Sequence, residues 1–430
     1  MPTLENLYNQ YIRGHRITTD SRTIRQGDVF IALKGENFDG NMFALQAIES
    51  GAFVAVTDDE QYRYHPKCLW VPDTLRFLQD IASYHRHRLG IPILGITGTN
   101  GKTTTKELCH AVLSLKYKTF ATQGNFNNHI GVPLTLLSMD ETTQFGIVEM
   151  GANHPGEIKA LCDIADPDYG IITNIGQAHL EGFGSYENII ATKKQLYDHI
   201  RAKKGKLFVN ADDPLLTELS AGVETSTYGQ NGKTLKGEIK QSIPFLVYAL
   251  KTLKGDLYVR THLIGGYNFE NAIAASCVGV ETGISPLEIQ QAIESYQPSN
   301  LRSQLIKTSR NTVILDAYNA NPSSMKAALS NFREFRADNK MLVLGEMREL
   351  GANSVQAHEE IFHMTQNAGF SRIILVGDNF EHYSNSSNFI RHFKTTDDLI
   401  AWLKEEQLRE ACILVKGSRG NRLERIVEFL

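Results

Sequence analysis

One stretch constrains this chain more than any other: Ile93-Leu94-Gly95-Ile96-Thr97-Gly98-Thr99-Asn100-Gly101-Lys102-Thr103-Thr104-Thr105. An apolar run gives way to a glycine-punctuated loop and then to residues suited to a helix. The pattern predicts a short buried strand, a tight turn, and a helix that begins near Lys102. Glycines let several backbone N–H groups turn toward one point, and a helix N-terminus adds positive partial charge. Gly98, Thr99, Asn100, Gly101, Lys102, Thr103 and Thr104 are therefore expected to cradle a phosphate chain. Lys102 would reach the β- and γ-phosphates, and the Thr103 hydroxyl would ligate Mg²⁺. The spacing is not that of a strict Walker loop. Ile96 stands where the first glycine belongs, and the glycines fall at 95, 98 and 101. The plain alternative is a glycine-rich strand-to-helix turn with no ligand.

At about 150 residues per domain, a chain of 430 residues suggests two to four domains. Its charged fraction of 21% and hydrophobic fraction of 42% are those of a soluble globular protein. A net charge of −4 argues against nucleic acid or an anionic membrane as a bulk partner. Met1 to Asp20 contains no apolar segment of the secretory kind, and no run approaches the roughly 20 residues of a membrane span. The five cysteines are scattered, which suggests free thiols in a reducing cytoplasm and small core residues.

Three α/β units are expected. Residues 1–86 read as a small unit with strands at Ile17–Arg22, Asp28–Leu33 and Ala52–Val56 and a helix from Met42 to Glu49. Its turn at Asp39-Gly40 and the pair Ser21-Arg22 suit an anionic or sugar-like ligand, or simply turn chemistry. Residues 87–300 alternate strand and helix, with apolar runs at Ile93–Thr97, Phe145–Met150, Tyr169–Thr173 and Lys206–Asn210 that fit a buried parallel sheet. Ser226 to Leu263 looks like a short antiparallel excursion. Residues 301–430 read as a third unit, with strands at Thr312–Asp316, Met341–Gly345, Arg372–Val376 and Cys412–Val415.

In parallel sheets ligands sit at the carboxyl ends of the strands, so the polar residues there are the candidates for chemistry. Glu149 ends a strand and is followed by Gly151; it suits Mg²⁺, or is a surface carboxylate. His179 precedes a glycine-flanked turn and is open between ligand and structural residue. Lys193-Lys194 would ordinarily mark a solvated helix face. Asp316 suits ribose hydroxyls or begins the helix that Pro322 announces. Asn268 and Asn271 carry both donors and acceptors and suit an adenine edge, or cap a helix. Arg302 opens the third unit, from where it can reach a phosphate.

Taken together, these residues resemble the Mur ligases. The resemblance rests on Gly98 to Thr104, Glu149, His179, Tyr267-Asn268-Phe269-Glu270-Asn271, Arg302 and Asp316, in that order and at similar spacing. Further matching stretches are Gly124 to Thr135, Glu149 to Ala152, Ala178 to Gly184, Asp316 to Pro322, Ser21-Arg22, and Gly345-Glu346-Met347 to Leu350-Gly351. The Asp-Asn-Pro-Arg motif typical of the diaminopimelate-adding relative is absent.

The resemblance implies an ATP-dependent amide ligase, and the chain is expected to be a cytoplasmic monomer. Residues 1–86 would bind the UDP-muramyl substrate. Residues 87–300 would bind ATP through a phosphate-loop parallel sheet, and 301–430, Rossmann-like, would bind D-Ala-D-Ala and part of the nucleotide. The acceptor implied is UDP-N-acetylmuramoyl-tripeptide. Thr103 and Glu149 would hold one Mg²⁺; His179 and a carbamylated Lys193 would serve a second. Lys193-Lys194-Gln195 stands where the family more often has Lys-Gly-Glu. Asn128 would lie near the γ-phosphate, Asn268 and Asn271 at adenine, Asp316 at ribose, and Arg302 at the phosphates. Ser21, Arg22, Asp39 and Gly40 would hold the UDP part, and Asn319, Asn321 and Lys416 the dipeptide. Competing expectations are another amide ligase on the same core, such as a folylpolyglutamate-type enzyme, and a non-enzymatic nucleotide switch.

Overall fold

The computed structural model describes residues 3–366, 368–383 and 387–430. Its central sheet has nine strands, in the order Gly255–Arg260, Val247–Thr252, Leu235–Gln241, Glu224–Gly229, Lys206–Asn210, Tyr169–Ile172, Ile93–Thr97, Phe145–Glu149 and Thr119–Ala121. The seven strands from Leu235–Gln241 to Thr119–Ala121 pair in parallel, and the last two at the opposite edge are antiparallel. The segment expected as an antiparallel excursion therefore extends the central sheet rather than leaving it.

The strand Ile93–Thr97 explains why this sheet is central. Alternate residues point to opposite faces. Ile93 enters one buried cluster with Val148 and Ile172, while Leu94 and Ile96 enter the other with Ile147 and Ile171. Both faces are covered, so the run is apolar without interruption. Helix Asn268–Glu281 packs against helix Lys102–Leu113 on one of those faces, with Ala272, Ala275 and Cys277 in the same buried cluster as Leu108, Cys109 and Val112.

The first unit is a four-stranded parallel sheet in the order Ile17–Thr18, Val29–Ile31, Val54–Thr57, Cys68–Trp70. The expected strand to Arg22 stops at Thr18, because the Asp20 side chain accepts from Arg22 N and turns Ser21–Thr23 into a 3₁₀ turn. The expected helix from Met42 begins at Ala44, after a 3₁₀ turn capped by Asp39. Helix Thr74–Leu89 then runs across position 86/87 and ends on the left-handed Gly90. Near its end, buried Arg86 donates to Ala165 O, Asp166 O and Asp168 Oδ2 of the central unit, at 2.9, 2.9 and 2.8 Å.

The third unit has six strands, in the order Gln304–Lys307, Thr312–Asp316, Cys412–Lys416, Lys340–Gly345, Arg372–Val376, Ile390–Phe393. All pair in parallel except the first. Cys109, Cys162, Cys277 and Cys412 are buried, as small core residues should be. Among the described residues, no helix is long and apolar enough to cross a membrane.

Candidate active site

The loop after Ile93–Thr97 is clamped by the turn that follows the neighbouring strand. Thr99 N donates to Asn174 O at 2.9 Å, and Asn100 N to Asn174 Oδ1 at 3.0 Å. Thr173 Oγ1 donates to Asn100 O at 2.6 Å, and Gly176 N to Thr99 Oγ1 at 2.9 Å. Two glycines are required here. Gly98 has φ +148°, and a Cβ on it would lie 1.9 Å from Thr173 Oγ1; Gly101 has φ +80°, and its Cβ would lie 2.3 Å from Asn271 Oδ1. Helix Lys102–Leu113 begins directly after the second.

Lys102 folds back over this loop, donating to Gly98 O at 2.8 Å and Thr99 O at 3.1 Å. Burial lowers its amine below the usual lysine range. Lys193 is 4% exposed and donates to the same Gly98 carbonyl at 3.1 Å. The solvated-face expectation therefore fails for Lys193 but describes Lys194, which pairs with Asp198 at 2.5 Å on the helix surface. Burial first, and then the Lys102 charge, bring the Lys193 amine down to about 7.

Two cavities meet at the loop. One is lined by Thr99, Asn100, Gly101, Lys102, Thr103, Thr104, Asn268 and Asn271 from the central unit, and by Asp316, Asn319, Asn321 and Lys416 from the third. The other is lined by Gly98, Thr99, Lys102, Asn128, Glu149, His179 and Lys193, and by Arg302, Asn319, Glu349 and Arg419. Arg302 lines both. It sits between left-handed Leu301 and Ser303, its guanidinium carbon 4.2 Å from the centre of the Tyr318 ring. Its Nε is buried without a partner.

Glu149 is 2% exposed, which rules out the surface-carboxylate alternative. Its Oε1 accepts from Asn127 Nδ2 at 2.9 Å, whereas Oε2 is buried with no partner. An orphaned carboxylate oxygen in a low-dielectric site fits a cation. Among the described residues, no cluster of three or more His, Cys, Asp or Glu is placed to hold a metal. The donor set suits Mg²⁺, which is held by one or two protein oxygens together with substrate phosphates. His179, at φ +52°, has its Nδ1 buried against Glu349 Oε2 of the third unit, a close contact that is not an aligned hydrogen bond. That contact holds the Glu349 carboxyl below its usual range.

The amide side chains are already engaged. Asn268 Nδ2 donates to Ile264 O, Asn271 Nδ2 to Asn268 Oδ1, and Thr105 Oγ1 to Asn271 Oδ1. Each amide keeps one N–H for a ligand. Asn128 Oδ1 accepts from Ile130 N and Gly131 N at the start of helix Gly131–Leu137. Lys416, expected on the dipeptide side, lines the first cavity together with Asn319 and Asn321 and donates to Asp316 Oδ2 at 2.7 Å. Asn321 caps helix Pro322–Glu334 and also donates to Asn100 Oδ1 at 2.9 Å, while Asn100 Nδ2 donates to Ser323 Oγ at 2.8 Å. The phosphate loop is thus bonded directly to the third unit.

Ser21, Arg22, Asp39 and Gly40 line neither cavity. Arg22 is exposed and paired with Asp20, and Asp39 accepts from Asn41 N and Nδ2. A Cβ on Gly40 would lie 2.5 Å from Leu33 O. Sequence reasoning did not single out Glu349, Arg419 or Ser323. Their place depends on how loops of two units meet, and no local spacing encodes that.

A phosphate loop whose facing wall comes from another unit marks a nucleotide-dependent enzyme with a divided active site. Three family descriptions match the chain: "Mur ligase family, catalytic domain" over 13–86, "Mur ligase middle domain" over 96–279, and "Mur ligase, glutamate ligase domain" over 301–419. The UDP-N-acetylmuramoyl-tripeptide–D-alanyl-D-alanine ligase of Bacillus subtilis (strain 168) is 36% identical over 444 residues, spanning 100% of this chain and 95% of that protein. The chain belongs to the Mur ligase family. MurF from Acinetobacter baumannii superposes with a TM-score of 0.87 at 30% identity, covering 99% of this chain and 98% of its own. MurF ligase from Thermotoga maritima in complex with ADP gives 0.85 at 27% identity, covering 96% of each chain.

Proposed function

We propose that this chain is an ATP-dependent ligase that joins D-alanyl-D-alanine to UDP-N-acetylmuramoyl-tripeptide in peptidoglycan precursor synthesis. The observation that carries this reading is the meeting of two cavities at one loop, with Lys102 and Arg302 lining both. The B. subtilis relative has this activity by name.

A carboxylate is a poor electrophile and must be activated before an amine can attack it. The γ-phosphoryl group passes from ATP to the terminal carboxylate of the tripeptide, giving an acyl phosphate and ADP. The amine of D-Ala-D-Ala then attacks the acyl carbon, an amide forms, the proton is lost and phosphate departs. In the first step two anions approach each other. Lys102 and Arg302 supply positive charge between them, in a site where burial strengthens each interaction. The N–H groups of Gly98 to Thr103 hold the phosphates in line. Asp316 receives the ribose, and Asn268 and Asn271 meet the adenine with their remaining amide hydrogens. Asn128 lies on the γ-phosphate side.

Mg²⁺, held by Thr103 and Glu149 and by His179 with Lys193, would neutralise charge on the transferring phosphoryl group. Lys193 is the residue for carbamylation: the reaction with CO₂ needs a neutral amine, and burial favours that form. Residues 1–86 hold the UDP end through Ser21, Arg22, Asp39 and Gly40. Residues 87–300 hold ATP, and 301–430 bring the dipeptide, with Asn319, Asn321 and Lys416 on that wall. The enzyme works as a monomer in the cytoplasm, where ATP is available.

The test is release of ADP and phosphate across a panel of UDP-muramyl peptides, with D-Ala-D-Ala and with single amino acids. Turnover is expected only with a tripeptide plus the dipeptide. Turnover with a single amino acid and not with the dipeptide would overturn the assignment.

A further inference from the structure

His179 and Glu349 lie on loops of different units, after strands Tyr169–Ile172 and Lys340–Gly345. Both have left-handed backbones, at φ +52° and +63°. Such a conformation is unfavourable for a residue with a Cβ and persists where the surroundings impose it. Here they impose it on both partners of one contact: Glu349 Oε2 meets His179 Nδ1. The neighbouring Gly351 packs beside Glu181, where a Cβ would lie 3.2 Å from the Glu181 Cβ. The two loops therefore rest on each other.

The side chains are 26% exposed for His179 and 58% for Glu349, although Nδ1 itself is buried. Contacts between such partly exposed groups contribute little to stability. What this contact does fix is the imidazole. A histidine that binds a metal through one nitrogen commonly donates from the other to a carboxylate, which sets the tautomer, holds the ring and raises its basicity. With Nδ1 buried against Glu349, Nε2 is the nitrogen left for the cavity that Glu149 and Lys193 also line.

We propose that Glu349 is the positioning residue for His179, so that the cation site on the acceptor side is complete only when the third unit is docked. This rests on the ligase reading above. Nucleotide alone would bring one divalent cation to the central unit. The second would bind tightly only after Glu349 arrives, which delays acyl-phosphate formation until the cleft is closed against water.

The test is a Mn²⁺ titration followed by electron paramagnetic resonance on the full chain, with a non-hydrolysable ATP analogue and UDP-tripeptide present. Wild type should bind two Mn²⁺ per chain. Glu349→Ala should bind the first with unchanged affinity and the second about 10–100-fold more weakly. Glu349→Gln, which keeps an acceptor but not the charge, should fall between them. Unchanged first-site and nucleotide affinity shows that the variants are folded. A second Mn²⁺ bound equally well or more tightly by Glu349→Ala overturns the proposal, as does a wild type that binds only one. ADP release by wild type with both substrates is scored separately. If it fails, the ligase reading fails; if it succeeds while the Mn²⁺ result is negative, only the role of Glu349 is lost.

Discussion

Lys102 and Lys193 both donate to the carbonyl of Gly98, at 2.8 and 3.1 Å. Two ammonium groups on one oxygen repel each other, and burial makes both charges costly. Burial lowers both amines, and with the Lys102 charge as a second cause Lys193 is brought down to about 7. Below that pH the amine is protonated and does not attack CO₂; above it the neutral amine does, forming a carbamate and releasing a proton. At fixed dissolved CO₂, the carbamate signal in ¹³C NMR should rise as pH passes through about 7. Lys193→Ala should lose activity and recover part of it in small carboxylates. Wild-type turnover by that variant would remove the role.

Lys102→Ala should lose the chemical step rather than acceptor binding. A buried charge facing developing phosphoryl charge is worth on the order of 10²–10³ in kcat. Isothermal titration with UDP-tripeptide should change by less than threefold, on the order of 0.6 kcal/mol. A large loss of acceptor affinity would place Lys102 in a different subsite.

Gly101→Ala tests the loop itself. The new Cβ would press on Asn271 Oδ1 at 2.3 Å with the backbone at φ +80°. A cost of about 1–3 kcal/mol is expected from the conformation alone, and the loop can relieve it only by moving its N–H groups. ADP affinity measured by calorimetry should fall at least tenfold, about 1.4 kcal/mol. Unchanged ADP affinity would show that the loop does not set the phosphate position.

The bonds from Asn100 to Asn321 and Ser323 join the phosphate loop to the third unit. Ser323→Ala together with Asn321→Ala should leave UDP-tripeptide affinity intact and loosen closure. Small-angle scattering should show wild type contracting on addition of nucleotide plus UDP-tripeptide, and the double variant contracting less. Identical profiles with and without ligands in wild type would count against closure.

Asp28 is buried and paired with Arg16, and it accepts from Arg25 N at 2.7 Å. Burial alone would raise its carboxyl, but the hydrogen bonds from Arg16 and Arg25 outweigh it and hold the group below the usual range. Its contribution is therefore present above the unfolded carboxylate value and is lost as pH falls through the lower folded one. Asp28→Asn should destabilise the first unit by about 1–2 kcal/mol at neutral pH, with less difference in acid. Urea unfolding followed by Trp70 fluorescence, with Trp402→Phe as background, measures this.

The buried parallel strands were the most legible part of the chain. Ile93–Thr97, Lys206–Asn210, Thr312–Asp316 and Arg372–Val376 have the bounds their apolar runs predict, because both faces are covered and the runs are unbroken. Ser226 to Leu263 was harder. An alternating pattern signals strands but not which sheet edge they join. Lys193 read as surface because adjacent lysines usually are; only the helix phase against the phosphate loop buries one and exposes the other. Lys416 lay correctly at a strand end, but its pairing with Asp316 needed the strand order. Glu349 lay inside the Gly345 to Gly351 stretch that resembles the Mur ligases, but nothing local marked its role, since its partner lies on a different unit.

Helix Thr74–Leu89 gives the molecule a fixed length scale. It starts in the first unit, and through Arg86 it is bonded to the carbonyls that precede strand Tyr169–Ile172 of the central sheet. On the proposed reading, with the uridine end in the first unit, the distance from there to Gly98 is set like the jaws of a caliper. An acceptor one residue short would leave its carboxylate away from the γ-phosphate, and one residue too long would overrun it. Selection for a tripeptide can then come from reach alone, without a side chain that recognises the third residue.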